Sequence, residues 1–259
     1  MKKTIMLIHG AWVTPDCWEN FRTYFEGKGH TCIVPAWPHM NRSVSELRKS
    51  PDPQLKHTTI KSLVDHYEIQ IKALPEPPIL IGHSFGGLIV QMLIDRGLGA
   101  AGVAIDAGPP RGVIPSLTAI RSAAPVLLSW LGWSRVLTMS FKSFSETFAN
   151  GASTAEQQKA YDTYIVPAPG KIYFQAAIGI GNGVKFSNPS RSPMLLIAGE
   201  DDRTSTPSMV KAMHRKYGKS PVRTDIMVFP KRSHWLIAET GWQEIAEKAL
   251  EWATKFSKG

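Results

Sequence analysis

The sequence has few cysteines, no dense run of one charge and no long apolar segment, and each absence excludes a class of protein. Two cysteines, Cys17 and Cys32, are too few for a disulfide scaffold and form no metal-ligand pattern, so we expect buried thiols and no metal site. No apolar run reaches the length of a membrane span. The net charge is +9, but Lys and Arg are scattered and do not alternate with aromatic residues, which favours a solvated basic surface over one that binds nucleic acid.

The amino-terminal residues do not form the pattern of an export signal. Met1-Lys2-Lys3 is basic, but the apolar stretch Thr4–Ile8 that follows is too short for the hydrophobic part of a signal peptide. We therefore expect a first strand there and a cytoplasmic protein. The 259 residues, 43% of them hydrophobic, fit one large α/β domain or a domain with an insertion.

Short apolar segments alternate with helical ones at both ends of the chain. The pattern predicts strands at residues 4–8, 31–35, 79–81, 102–105, 194–198 and 224–228. It predicts helices at residues 15–28, 60–74, 208–217 and 241–256. Such alternation indicates an α/β fold, a mostly parallel sheet with helices on both faces.

Residues 109–188 interrupt this alternation. They contain no clear buried strand followed by a helix, and the segments that fit helices lie at residues 117–131, 136–148 and 154–164. We therefore expect one core domain, formed by residues 1–108 and 189–259, with a helical cap or lid at residues 109–188.

The motif Gly82-His83-Ser84-Phe85-Gly86 matches Gly-x-Ser-x-Gly and lies between a predicted strand and a helical run. A sharp turn from strand to helix exposes the serine hydroxyl, and the free N–H groups at the start of the helix point toward it. Glycines two positions to either side relieve the crowding of such a turn. Ser84 could instead cap the helix, a common role for serine, but the strand before it and the helix after it favour a nucleophile.

A serine nucleophile needs a base, and His234 is the best placed of the eight histidines. It lies in the loop between the last predicted strand and the last predicted helix. His234 and Ser84 therefore both follow the carboxyl ends of strands, which is where reactive groups collect in an open parallel sheet.

The histidine in turn needs a carboxylate to orient it. The loop after the 194–198 strand offers three candidates, Glu200, Asp201 and Asp202, in the chain order of serine, acid and histidine that this architecture predicts. Asp106, just after another predicted strand, is a further candidate, although it could equally be a turn residue.

The oxyanion of a tetrahedral intermediate needs backbone donors. One expected donor is the N–H of Phe85, the residue after Ser84, and the other is the N–H of Ala11, in the loop after the first strand. In the same loop we expect His9 to hold the backbone in shape rather than to act as the base.

Four motifs in this order resemble the α/β-hydrolase superfamily, and the resemblance spans nearly the whole chain. They are His9-Gly10-Ala11-Trp12, Gly82-His83-Ser84-Phe85-Gly86, Gly199-Glu200-Asp201-Asp202 and Ser233-His234. The family's Gly-x-x-Asp acid loop falls on Gly199 and Asp202, so the resemblance implies a catalytic triad of Ser84, His234 and Asp202. It also implies a helical cap at residues 109–188.

The chain begins at what corresponds to the family's third strand, so the resemblance implies a six-stranded parallel sheet in the family order 4-3-5-6-7-8. The His-Gly-Ala-Trp start resembles the esterase and hydroxynitrile-lyase branch. In those lyases a lysine directly follows the catalytic histidine, whereas Trp235 follows His234 here. We therefore expect cofactor-free hydrolysis of a carboxylic ester through an acyl-enzyme. A lyase or perhydrolase on the same triad and a non-catalytic small-molecule receptor remain alternatives.

The apolar residues of the 109–188 segment bear on the substrate. At helical spacing most of them would form that segment's own core, but we expect Trp130 and Trp133, together with Trp12 and Trp235, to line a pocket for a small hydrophobic substrate. No interfacial anchor is evident, so a small ester is expected rather than a long-chain lipid. Arg111 is a candidate to bind a carboxylate, although a surface arginine is the commoner case. The oligomeric state is not predicted.

Overall fold

The computed structural model describes residues 2–257, and six parallel strands form its central sheet. They are β1 (Thr4–Ile8), β2 (Thr31–Ile33), β3 (Ile79–His83), β4 (Ala101–Ile105), β7 (Met194–Gly199) and β8 (Thr224–Phe229). Their order is β2-β1-β3-β4-β7-β8. This is the expected order, so the predicted α/β class and sheet topology are confirmed.

The sheet has helices on both faces because successive side chains of a strand point in opposite directions. The helices of this core are α1 (Glu19–Gly27), α2 (Val44–Lys49), α3 (Ile60–Lys72), α4 (Phe85–Asp95), α9 (Pro207–Tyr217) and α10 (Trp242–Phe256). On one face Val103 and Leu195 belong to the apolar cluster that includes Ile245 of α10. On the other face Ala104 and Leu196 pack in the cluster that contains α9 residues.

The four central strands end at the same level, and this positions the site. Parallel pairing aligns Ile8 with Gly82, His83 with Ile105, and Ile105 with Ile197. Every residue of β3, β4 and β7 is buried, so these strands are fixed on both faces. The loops that follow the carboxyl ends of β1, β3, β4 and β7 therefore meet at one edge of the sheet.

The chain between β4 and β7 forms four helices and a small antiparallel ribbon. The helices are α5 (Leu117–Leu127), α6 (Phe141–Ser143), which continues into a π-helical turn (Phe144–Phe148), α7 (Thr154–Tyr164) and α8 (Lys171–Ile178). The ribbon pairs β5 (Val136–Leu137) with β6 (Ala168–Pro169). Across residues 2–257, no helix is long and apolar enough to cross a bilayer.

The predicted helix at residues 136–148 is wrong in its first half, because Val136–Leu137 pairs with a segment more than thirty residues away in the chain. Helix α8 was not predicted. The helix predicted at 154–164 has the predicted bounds, and the one predicted at 117–131 ends at Leu127.

Candidate active site

Ser84 lies at the sharp turn between β3 and α4, with a backbone conformation (φ 57°, ψ −120°) that non-glycine residues rarely adopt. Close packing holds this turn. A Cβ atom on Gly82 would clash with the carbonyl of Gly86, and a Cβ atom on Gly86 would clash with the carbonyl of Ile8. Both motif glycines are thus required because the backbone approaches so closely, and the turn presents the Ser84 side chain to a cavity.

The loop after β1 packs directly against Ser84. A Cβ atom on Gly10 would lie 2.9 Å from the Ser84 Cβ and 3.5 Å from the Phe85 nitrogen. Trp12 has a positive φ of 71°, so the loop turns sharply just after Ala11. Among residues 2–257, neither the Ala11 nor the Phe85 N–H donates to another backbone group outside regular secondary structure. Phe85 is the first residue of α4, and a helix leaves its first N–H groups without intrahelical acceptors.

His9 fixes the shape of this loop from inside the protein. It is fully buried, its Nδ1 lies 2.9 Å from the Gly10 carbonyl, and its Nε2 accepts a hydrogen bond from the Trp37 N–H at 3.2 Å. The accepting Nε2 requires that Nδ1 carry the proton and donate to Gly10. Burial lowers the pKa of His9 from about 6.5 to about 4, so the ring is neutral at pH 7.

His234 and Asp202 form a buried pair at the ends of two neighbouring strands. The His234 Nδ1 lies 2.7 Å from the Asp202 Oδ2, and both side chains are fully buried. The other Asp202 oxygen accepts the N–H groups of Thr204 at 2.6 Å and Ser205 at 2.9 Å. These two donors replace the hydrogen bonds to water that the buried carboxylate has lost, and they fix its orientation toward the imidazole.

Of the other candidates for the acid, Glu200 and Asp201 are exposed, while Asp106 is fully buried. One Asp106 oxygen accepts the Gly199 N–H at 2.8 Å, and the second has no hydrogen-bond partner within residues 2–257. Burial and the nearby charge of Asp202 raise the pKa of Asp106 well above its usual value. The surroundings of Asp106 therefore favour its neutral form.

His83 completes a buried cluster beneath the His234–Asp202 pair. Its Nε2 donates to the His234 carbonyl at 2.7 Å, and burial lowers its pKa well below the usual value. One ligating atom from each of His83, Asp106 and His234 lies within 4.8 Å of the others. One nitrogen of each ring is engaged, His83 Nε2 with a carbonyl and His234 Nδ1 with a carboxylate, while the other nitrogen of each ring has no hydrogen-bond partner within residues 2–257. The bond from His83 to the His234 carbonyl supports the His234 loop.

The 109–188 segment covers the His234 side chain. The ring of Phe148 lies edge-on to the imidazole, with centroids 4.4 Å apart. Beside it, Asn150 donates to the Asp201 carbonyl at 3.0 Å, and Thr204 donates to the Thr147 carbonyl at 3.0 Å. The segment is therefore tied to the acid loop, and it shields the imidazole from solvent.

A cavity of about 580 Å³ opens in front of Ser84. No charged side chain of residues 2–257 lines it. Apolar residues predominate, among them Leu88, Ala119, Val126, Leu137, Met139 and Tyr173. Arg111, a sequence-based candidate to bind a carboxylate, is not in this lining.

Of the four tryptophans expected at the pocket, Trp12 lines the cavity and the other three lie elsewhere. Trp130 and Trp133 are exposed at the end of α5, where α8 occupies the inner position that they were expected to fill. Trp235 is 2% exposed and packs behind Phe148, away from the cavity. We therefore correct the expectation for Trp130, Trp133 and Trp235.

Two aromatic residues near the site were missed by the sequence reasoning. Tyr173 of α8 contacts both Phe85, with ring centroids 4.9 Å apart, and Trp12, at 5.5 Å. Phe148 lines the cavity and also packs against His234. Tyr173 gave no signal because its helix was not predicted, and Phe148 was considered only as part of an apolar helix.

Solved structures share this architecture at low sequence identity. The monoacylglycerol lipase of Paleococcus ferrophilus is 18% identical, with 98% of this chain and 95% of that chain covered and a TM-score of 0.68. Polyneuridine aldehyde esterase is 15% identical, with 98% and 100% covered and a TM-score of 0.70. The methylesterase MES16 from Arabidopsis is 13% identical, with 98% and 99% covered and a TM-score of 0.71. By sequence, no curated protein matches the chain.

A family model gives the same result over nearly the full length. Residues 5–248 match the model of the alpha/beta hydrolase family. This range contains the Ser84 turn, the loop after β1, and the Asp202 and His234 loops. The fold, the family and the esterases and lipases among its structural neighbours all point to hydrolase chemistry, and the chain belongs to the alpha/beta hydrolase family.

Proposed function

We propose that this protein is a serine hydrolase that cleaves an uncharged, mainly apolar carboxylic ester through an acyl-enzyme. The observation that carries this proposal is the buried contact of 2.7 Å between His234 Nδ1 and Asp202 Oδ2, at the sheet edge where the strained Ser84 turn faces a cavity. A carboxylate on Nδ1 leaves Nε2 as the proton acceptor, and it stabilises the imidazolium that forms.

In this mechanism His234 Nε2 takes the proton of Ser84 as its hydroxyl attacks the ester carbonyl. Within the described chain Nε2 has no hydrogen-bond partner, Ser84 included, so its lone pair is not engaged elsewhere and the bond from the Ser84 hydroxyl forms only when substrate binds. The imidazolium then gives the proton to the leaving alcohol. In the second half of the cycle water attacks the acyl-enzyme with His234 again as base, and Ser84 is regenerated.

The N–H groups of Ala11 and Phe85 would bind the oxyanion. The close approach of Gly10 to Ser84 supports this assignment, because it brings the backbone of the β1 loop beside the first turn of α4. The dipole of α4 adds positive potential at the same point. Neutral His9 supports Ala11 by holding the Gly10 carbonyl.

The cavity indicates the chemical class of the substrate. Its volume of about 580 Å³ is in the ordinary range for small-molecule sites, and its lining has no charge to pair with an ionic substrate. A charged acid or alcohol would lose its hydration there without compensation. We therefore assign an uncharged ester with an apolar acyl or alcohol part.

We further propose that residues 109–188 act as the cap of this hydrolase. Phe148, Tyr173 and α5 line the cavity opposite Ser84, so the segment would select the substrate and exclude water from the proton transfer. A drier site also strengthens the attraction between His234 and Asp202.

A fluorophosphonate probe tests the proposal. Native protein should be labelled at Ser84, with the adduct located by peptide mass spectrometry, and Ser84→Ala should abolish the label. As a matched control, Ser129→Ala removes another cavity serine and should leave Ser84 labelling intact. Folded protein with no adduct on Ser84 would overturn the assignment.

Turnover separates the remaining alternatives. We expect the native protein to release p-nitrophenol from neutral p-nitrophenyl esters. Ser84→Ala should not release it. Labelling of Ser84 without turnover of any ester, accompanied by cleavage of cyanohydrins or peracid formation, would assign the lyase or perhydrolase alternative. Tight ligand binding without any turnover would identify a receptor.

A further inference from the structure

Exposed large apolar side chains are concentrated in one part of the 109–188 segment. Within residues 2–257 eleven such residues are exposed, and nine of them lie between residues 114 and 180. Among the nine are Ile114, Leu117, Leu128, Trp130, Trp133 and Ile178. Single exposed apolar residues are normal on any protein, but a concentration of this kind indicates a binding surface. We call these nine residues the apolar face.

The residues of the apolar face come from two stretches of chain that pack against each other. Helix α5 packs against α8, and the Trp133 ring lies edge-on to Phe174 of α8 with centroids 5.9 Å apart. At the other end, the Arg111 N–H donates to the Asn182 carbonyl at 3.0 Å. The loop before α5 and the turn after α8 are thereby joined, and both stretches form one surface.

The two stretches of chain that form the apolar face carry charge of one sign. No Asp or Glu occurs between Asp106 and Glu146, or between Asp162 and Glu200. The first of these stretches carries the exposed cations Arg111, Arg121, Arg135 and Lys142. None of these four forms an ion pair with a residue of the described chain. Their charges are therefore available to an anionic partner.

Helix α5 connects the apolar face to the cavity. Leu117 lies on its exposed side, whereas Ala119 and Val126 are buried and line the cavity. Ile120 is both half-exposed and part of the lining. A partner on the apolar face would therefore lie at the entrance of the cavity that faces Ser84.

We propose that the apolar face docks on an anionic phospholipid surface. The tryptophans and aliphatic side chains would enter the boundary between headgroups and acyl chains, while the arginines pair with lipid phosphates and carboxylates. Docking would direct the cavity entrance toward the lipid, so that an apolar ester could pass from the bilayer to Ser84 without crossing water. The docking step does not require the proposed hydrolysis.

A second copy of the chain fits this surface less well. In a twofold dimer the same patch meets itself, so the arginines of both copies would approach each other with no acidic residue between them. An anionic lipid surface removes this repulsion, because it supplies the negative charge that the face lacks.

Vesicle sedimentation tests the docking. Partition of the protein should be measured on vesicles of phosphatidylcholine alone and of phosphatidylcholine mixed equally with phosphatidylserine. We expect at least tenfold stronger partition on the mixed vesicles, weakened by added salt. The double variant Leu128→Ser and Trp130→Ser should lower it by about tenfold or more. Both side chains are over 80% exposed, so folding should be retained.

Matched controls come from outside the face. Ile69, 71% exposed on α3, gives the control Ile69→Ser, which should partition as the native protein does. For charge, Arg111→Gln, Arg121→Gln and Arg135→Gln together should remove the preference for phosphatidylserine. The triple control Lys28→Gln, Lys219→Gln and Lys255→Gln removes equal charge elsewhere and should retain most of the preference.

Three results would overturn the docking proposal. They are no partition of the native protein on either vesicle, equal losses in the face and control variants, and a stable dimer by analytical ultracentrifugation that Trp130→Ser dissociates. Hydrolysis of a short water-soluble ester, measured in parallel, separates the two proposals. Hydrolysis without vesicle binding would overturn only the docking, and vesicle binding without hydrolysis would overturn only the proposed activity.

Discussion

The core of the sheet and the 109–188 segment differ in how far their large apolar side chains are exposed. Every residue of β3, β4 and β7 is buried, whereas nine of the eleven exposed large apolar residues described lie in the segment. In the core, apolar residues are fixed by packing on both faces of a parallel sheet. In the segment they remain available to a ligand or a surface.

The polar groups of the candidate site are also divided between the two regions, and nearly all of them belong to the core. Ser84, Asp202, His234 and the two proposed oxyanion donors all follow core strands, and backbone hydrogen bonds and close glycine packing hold this part of the structure. The segment adds rings such as Phe148 and Tyr173 but no charged group to the cavity. The comparison supports the proposal that the core carries out the chemistry and that the segment selects the substrate, and variants in each region can test it.

The largest expected effect is a loss of kcat, and it should differ between two buried carboxylates of the core, Asp202 and Asp106. Asp202→Asn should lower kcat by about 10⁴-fold, because an amide cannot stabilise the imidazolium and favours the wrong tautomer of His234. Asp106→Asn should lower kcat by less than about tenfold, because burial favours a neutral group at this position and an amide oxygen can keep the bond to the Gly199 N–H. Steady-state kinetics with a neutral p-nitrophenyl ester measures both.

Thermal unfolding serves as the control, since both variants should remain folded. A large loss in Asp106→Asn with little loss in Asp202→Asn would reverse the assignment of the acid. Equal large losses would show that the two carboxylates act as one unit, and the division of roles within the core would fail.

The sequence predicted the core well because its signals are local. The stretches at Thr4–Ile8 and Met194–Gly199 are short apolar runs bounded by polar or turn residues, and such runs become buried parallel strands. The Gly-x-Ser-x-Gly motif is also a local signal, because the turn requires glycine at positions where Gly82 and Gly86 approach each other closely. The distance between His234 and Asp202 was not predictable in the same way, because it depends on the pairing of β7 with β8.

The segment was predicted less well because its structure depends on distant contacts. Val136–Leu137 becomes a strand only through pairing with Ala168–Pro169. The apolar residues of this stretch are spaced as in a helix, so the pattern predicted a helix instead. Helix α8 directly follows Pro167, Pro169 and Gly170, residue types that are typical of loops. Trp130 and Trp133 were expected to line the pocket because enzyme pockets are mainly apolar, yet both are exposed.

A second prediction concerns how the free energy of unfolding depends on pH. Residues 109–188 contain no histidine, so any contribution of histidine to this dependence comes from the core. His9 has a folded pKa of about 4, against about 6.5 when unfolded. As the pH falls from about 6.5 to 4, the unfolded chain binds a proton at this site that the folded chain excludes, so stability is lost. The difference corresponds to on the order of 3 kcal/mol. In His9→Gln, the loss of unfolding free energy between pH 7 and pH 4 should be smaller by about this amount.

Urea denaturation at the two pH values measures this difference, and other titrating groups, His83 and Asp106 among them, are common to both proteins. The exposed His57→Gln is the control and should keep the native pH dependence. An unchanged pH dependence in His9→Gln would show that His9 is not a source of acid sensitivity in the core.

The smallest expected effect concerns substrate choice in the segment. Ala123 of α5 lines the cavity, so Ala123→Trp should fill the space opposite Ser84. We expect kcat/KM for a long-chain p-nitrophenyl ester to fall by about 10- to 100-fold while the value for the acetate changes little, since the chemical groups lie in the core. Thr118→Trp, on the exposed side of the same helix, is the matched control and should alter neither.

The pattern across the two esters decides the interpretation of Ala123→Trp. A loss confined to the long ester would support a cavity that holds the acyl chain and a core that performs the reaction independently. Equal losses for both esters would mean that α5 also positions the groups around Ser84. In that case the division between a chemical core and a selective segment would not hold, because packing through Phe148 or Tyr173 would transmit the change to His234 or Phe85.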